Sequence, residues 1–135
     1  MKWFSKVAEQ GYANAQAILG IMYSEGRGIK QDDFEAVKWF RKAAEQGDVI
    51  AQTNLGNMYY NGRGVKQDDF EAVKWYRQAA EHGYIKAQAL LGFSYLLGKG
   101  VQVNKSLATE WLGKACDNGN QDSCEIYSKL NRGKR

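Results

Sequence analysis

The chain has 135 residues, 44% hydrophobic and 25% charged, ordinary values for a soluble protein folding as one unit. No apolar run approaches the roughly 20 residues needed to cross a bilayer, so membrane insertion is not expected. The formal charge is +4, but lysine and arginine are spread along the chain, and only Arg132, Lys134 and Arg135 cluster. Dispersed charge of this kind points away from nucleic acid and reads as solvated surface, with 131–135 a short basic tail.

The string KQDDFEAVKW occurs at residues 30–39 and again at 66–75, an offset of 36 residues. At that step Trp3, Trp39, Trp75 and Trp111 align, as do Gly11, Gly47, Gly83 and Gly119. Gly20, Gly56 and Gly92 form a third column, and Tyr23, Tyr59 and Tyr95 a fourth. A period in this range signals a solenoid of helical hairpins. The expected organisation is one domain over residues 1–130. It comprises a partial unit 1–12, units 13–48, 49–84 and 85–120, and a terminal helix 121–130.

Met1 aligns with Val37 and Val73, so the chain opens part-way through a unit, as expected of a piece of a longer array. Trp3, Phe4 and Val7 would then form an apolar end without its own partner helix. Such ends need a cap or a neighbour, and end-to-end self-association is one expectation.

Within the first full unit, Ala15, Leu19, Met22 and Tyr23 recur at helical spacing and predict a helix A over 13–24. Gly26-Arg27-Gly28 follows as a loop. Asp32 with Glu35 three residues on predicts an N-terminal capping box for a helix B over 33–46. Phe34, Val37, Trp39, Phe40, Ala43 and Ala44 give helix B a broad apolar stripe, and Gly47 marks its end. The second unit repeats this with Asp68, Glu71 and Gly83. The third has Asn104 at the cap but Leu107 in place of the glutamate. Glycine inside a helix costs about 1 kcal/mol relative to alanine. Its recurrence at 20, 56 and 92 predicts close approach of helix A to helix B, with a tryptophan ring beside it. The tryptophans are expected to be core.

The pattern Ala13-x-Ala15-Gln16, Leu19-Gly20, Tyr23, Gly26-x-Gly28-Ile29, then Ala36, Trp39-Phe40, Ala43-Ala44 and Gly47 resembles the Sel1-like repeat. The resemblance covers essentially residues 1–130. It implies an all-α fold, a right-handed α/α superhelix related to tetratricopeptide arrays. It also implies a non-catalytic adaptor or scaffold for protein–protein contacts.

The last unit departs from the others. Cys116 occupies the alanine column of Ala8, Ala44 and Ala80, and Cys124 the column of Gln16, Gln52 and Gln88. A turn at Gly119 would bring the two together, as a disulfide or as two buried thiols. The spacing resembles the helix-turn-helix disulfide of the Helicobacter cysteine-rich proteins, a secreted branch of the Sel1-like group. An oxidised pair favours periplasm or export, and a reduced pair the cytoplasm.

Candidate chemistry is sparse. The one histidine, His82, lies in a turn with no second ligand for a metal. The cysteine-rich relatives have been linked to β-lactam binding and hydrolysis, which uses a serine with lysine three positions on. None of Ser5, Ser24, Ser94, Ser106, Ser123 and Ser128 has that spacing. No cofactor, metal site or catalytic residue is therefore expected.

Binding residues are instead expected where the repeat varies. On helix A the face of Asn14, Ile18, Ile21 and Glu25 becomes Ile50, Asn54, Asn57 and Asn61, then Lys86, Leu90, Phe93 and Leu97. The adjoining positions include Tyr60 and Leu96. The expected surface is a groove for a protein or peptide. Asn54, Asn57 and Asn61 would form an amide ladder, Tyr60 an amphipathic ring, and Phe93, Leu96 and Leu97 an apolar wall.

Overall fold

A computed structural model describes the backbone of residues 2–132 and the side chains of residues 5–132. The side chains of Trp3 and Phe4, and Lys134 and Arg135 of the expected tail, lie outside it. Among the described residues eight α-helices follow one another: α1 (Lys2–Glu9), α2 (Ala13–Glu25), α3 (Asp33–Glu45), α4 (Val49–Asn61), α5 (Asp69–Glu81), α6 (Ile85–Leu97), α7 (Lys105–Asp117) and α8 (Gln121–Arg132). Each packs on the next, and α2 also touches α4. The result is the expected all-α superhelix of hairpins, with no strand among the described residues. Helix α8 runs past the expected boundary at 130, so Asn131 and Arg132 belong to it rather than to a tail.

The helix starts follow from local chemistry, with one correction. The side chains of Asp32, Asp68 and Asn104 accept the N–H groups of Glu35, Glu71 and Leu107 at 3.1, 3.1 and 3.0 Å. The reciprocal half of the box is absent. The cap residues donate their own N–H groups to the carbonyls of Tyr23, Tyr59 and Tyr95, each at 2.9 Å. Glu35 and Glu71 are thereby released and pair with Lys38 and Lys74 at 3.5 and 3.7 Å. Leu107 consequently leaves nothing incomplete in the third unit. The hairpins turn on glycines in the left-handed region, such as Gly26 at φ 69° and Gly47 at φ 93°.

The mid-helix glycines mark close helix contacts, but the neighbour is the residue after the tryptophan. A Cβ on Gly20 would lie 2.6 Å from the Phe40 ring, one on Gly56 2.6 Å from Tyr76, and one on Gly92 2.7 Å from Leu112. The tryptophans pack beside that contact, against helix A of their own unit and the last turn of the helix before it. Trp39 clusters with Ala8, Ala15 and Leu19, and Trp75 with Ala44, Ala51 and Leu55. Both are buried core, as expected, while Trp111 is half-buried. Lysine ammonium groups lie over the rings, with Lys42 Nζ 4.7 Å from the centre of the Trp39 ring and Lys114 Nζ 4.4 Å from that of Trp111.

Phe34 does not join the apolar stripe. It is 78% exposed, and its counterpart Phe70 is 70% exposed. Position 34 stands six residues before Phe40, about 120° around a 3.6-residue helix from it and off the buried face. Replacing both Phe34 and Phe70 by serine is therefore expected to shift stability by no more than about 0.5 kcal/mol each. Phe40→Ala, by contrast, should cost about 3–5 kcal/mol. Urea unfolding followed by circular dichroism separates the two outcomes.

Candidate peptide-binding surface

The varying positions of α4 and α6 meet at a cleft of about 360 Å³. Of the expected residues, Asn57, Tyr60, Asn61, Phe93 and Leu97 line it. Asn54 and Leu96 do not. Asn54 turns its amide back to the Ile50 carbonyl at 2.9 Å, and Leu96 is half-buried outside the lining. Leu90, Ser94, Tyr76 and Lys99 complete the walls.

The asparagine ladder is not free on both sides. Asn61 Nδ2 donates to the Asn57 carbonyl at 3.0 Å, a local bond of the kind short amides make along a helix. Asn57 Oδ1 accepts the Tyr76 hydroxyl at 2.6 Å. What remains toward the cleft is the amide nitrogen of Asn57 and the amide oxygen of Asn61, one donor and one acceptor. Burial pushes the Tyr76 hydroxyl well above the ordinary tyrosine range, and nearby Tyr60 and Asp69 push it further. The phenol therefore stays protonated at neutral pH and holds Asn57 in place.

Tyr76 and Lys99 escaped the sequence reading. Tyr76 lies on a B helix, where it replaces Phe40 in an otherwise closely repeated string, and the added hydroxyl was the available signal. Lys99 lies in a Gly-x-Gly loop that reads as a simple connection. Its counterpart Arg63 is spent on the fold, bonding Asp33 Oδ1 at 2.8 Å and the Ser24 carbonyl at 2.9 Å. Lys99 instead extends over the Tyr60 ring, 5.7 Å from its centre.

The two cysteines form a disulfide, with Cα atoms 4.6 Å apart, and no free cysteine remains among the described residues. Their place in the repeat explains the bond. In the earlier units the glutamine of this column clasps the preceding helix. Gln16, Gln52 and Gln88 donate Nε2 to the carbonyls of Ala8, Ala44 and Ala80 at 3.0, 3.1 and 3.3 Å. Each partner is eight residues back, the separation of Cys116 and Cys124. The covalent bridge thus stands where the other units have a buried hydrogen bond.

Among the described residues no group of three or more His, Cys, Asp or Glu side chains is placed to hold a metal. No described helix is long and apolar enough to cross a membrane. The cations of the B helices are partly tied into the fold, since Arg41 and Arg77 donate to the hydroxyls of Tyr59 and Tyr95 at 2.7 and 2.8 Å.

The Sel1 repeat family matches residues 1–12, 13–48, 49–84 and 85–120. The chain belongs to the Sel1 repeat family. The solved structures similar to this Sel1 repeat chain include the following three. One is a protective antigen of uropathogenic Escherichia coli strains that displays an SLR fold, 46% identical with a TM-score of 0.96. The match covers 98% of this chain but 29% of that one, so the chain spans under a third of that relative's length. A Sel1 repeat protein from Oxalobacter formigenes is 40% identical with a TM-score of 0.85, covering 93% of this chain and 95% of that one. Helicobacter pylori cysteine rich protein B is 30% identical with a TM-score of 0.73, covering 90% and 92%. No functionally curated protein matches the sequence. Sel1 repeats typically mediate protein–protein contacts, and proteins built from them are generally non-catalytic scaffolds.

Proposed function

We propose that this Sel1 repeat chain is a non-catalytic adaptor that holds a peptide or protein partner in the α4–α6 cleft. The observation that carries the reading is the convergence of Asn57, Tyr60, Asn61, Phe93 and Leu97 on one depression. These positions vary from unit to unit while the packing columns hold. Apolar walls with a few fixed polar groups are the usual make-up of a recognition site. A partner backbone would bond the amide nitrogen of Asn57 and the amide oxygen of Asn61. An apolar side chain would lie against Leu90, Phe93 and Leu97.

The test is selection of a displayed random-peptide library on the immobilised chain, followed by binding to an Asn57→Ala/Phe93→Ala variant. Both residues are only half-buried, so the variant should fold, as circular dichroism would verify. Selected peptides are expected to lose at least about tenfold in affinity. Unchanged binding by the folded variant rejects the cleft.

A further inference from the structure

We propose that the cleft selects a peptide segment in which a large apolar side chain is flanked by carboxylates. This deepens the adaptor reading and rests on it. The stripe that α6 presents to the groove, Leu90, Phe93 and Leu97, is followed by Lys99 at the cleft mouth, and Lys86, outside the lining, stands one turn before Leu90 on the same helix face. Both are exposed, and neither has an acidic side chain within ion-pair distance among the described residues.

The contrast with the preceding joint between units is informative. There Arg63 reaches Asp33 and is neutralised, so its charge serves the fold. Asp69, the counterpart of Asp33, accepts from Gln67 at 2.7 Å just as Asp33 accepts from Gln31 at 2.6 Å, but the shorter lysine in place of arginine makes no ion pair with it. The loop cation of the third unit is thereby left at the cleft mouth, over the face of Tyr60. An aromatic face beneath an ammonium fixes it without consuming its charge. No acidic side chain lines the cleft.

The spacing sets the ligand's dimensions. From Lys86 to Leu97 the helix rises about 17 Å at 1.5 Å per residue. Extended peptide covers that span in about five residues. Acidic residues about two positions on either side of a central apolar residue stand about 14 Å apart, and the reach of the glutamate and lysine side chains covers the remainder while the apolar side chain fills the cleft.

The experiment uses three labelled peptides against the full chain in fluorescence anisotropy. One has a central Phe with Glu two positions away on each side. A second has Lys in place of both Glu, and a third has Ala in place of Phe. The Glu–Phe–Glu peptide is expected to bind at least about tenfold more tightly than either control, and to weaken as salt is raised. Lys99→Glu should reduce or reverse the preference for Glu over Lys, whereas Phe93→Ala should weaken both charged forms. Equal binding of the Glu and Lys peptides, or no effect of Lys99→Glu, overturns the acidic preference. If such unselective binding is still lost in Asn57→Ala/Phe93→Ala, the adaptor cleft stands without the charge rule. Binding indifferent to that double variant removes both, and no binding of any of the three peptides overturns the acidic–apolar preference.

Discussion

Gly56→Leu is expected to destabilise the chain by about 3 kcal/mol, despite replacing a poor helix former with a good one. Two effects oppose each other at this position. Removing glycine from the middle of α4 should gain about 1 kcal/mol in helix propensity. A Cβ there would lie 2.6 Å from Tyr76 Cε1 and 3.1 Å from the Ala72 carbonyl oxygen. The ring cannot retreat freely, because Tyr76 is buried and its hydroxyl is bonded to Asn57. Leucine adds three further carbons in a space already filled, and overpacking of that kind outweighs the propensity gain. Gly113→Ala in α7 is the control. Its nearest obstacle is the ring of Tyr127, 2.9 Å away and only half-buried, so the ring can yield and the change should stay within about 1 kcal/mol of neutral. Thermal unfolding of the two variants measures the contrast, and a Gly56→Leu protein as stable as the parent would show that α4 and α5 are not in contact there. Because Tyr76 holds Asn57, the same substitution should also weaken peptide binding before the array unfolds.

The repeat period, the helix pairs and their caps were legible because each has a local cause. A carboxylate three residues before a free N–H, or a glycine after the last turn, acts the same way in any fold. What was misread depends on direction in space. Phe34 and Trp39 both look like core residues by type, yet only the ring on the α2-facing side of α3 is buried. The glycine columns announced a close approach, but whether Trp39 or Phe40 fills it depends on one position of helix rotation, about 100°. The cleft was legible in the same partial way. Variation along α4 and α6 pointed to Asn57, Tyr60, Asn61, Phe93 and Leu97, whereas Tyr76 and Lys99 come from a B helix and a loop. Reading one helix face could not bring those two in. Nor could it show that Asn54 and Asn61 bond their own helix, because that rests on rotamers.

The second large effect is expected at the C-terminal end. Only Ser123 of α8 is fully buried, while Ile126, Tyr127 and Leu130 are half-buried, so this helix packs shallowly against α7. The Cys116–Cys124 bridge closes a loop of nine residues, and the chain-entropy estimate for that closure is about 2.5 kcal/mol. Cys116→Ala/Cys124→Ala should therefore lower stability by about that amount and loosen α8 first, with faster amide exchange over 121–132 than elsewhere. The repeat supplies a sharper comparison. In the three earlier units alanine and glutamine at these two columns make a buried hydrogen bond in the same place. Cys116→Ala/Cys124→Gln should accordingly recover about 1 kcal/mol relative to the double alanine variant, the ordinary net contribution of one such bond. The converse exchange, Ala44→Cys with Gln52→Cys, should oxidise spontaneously and make the second unit more resistant to unfolding. If the alanine–glutamine variant is no more stable than the double alanine one, the bridge and the clasp are not equivalent, and the stability of the terminal helix must arise from its contact at Tyr127 instead.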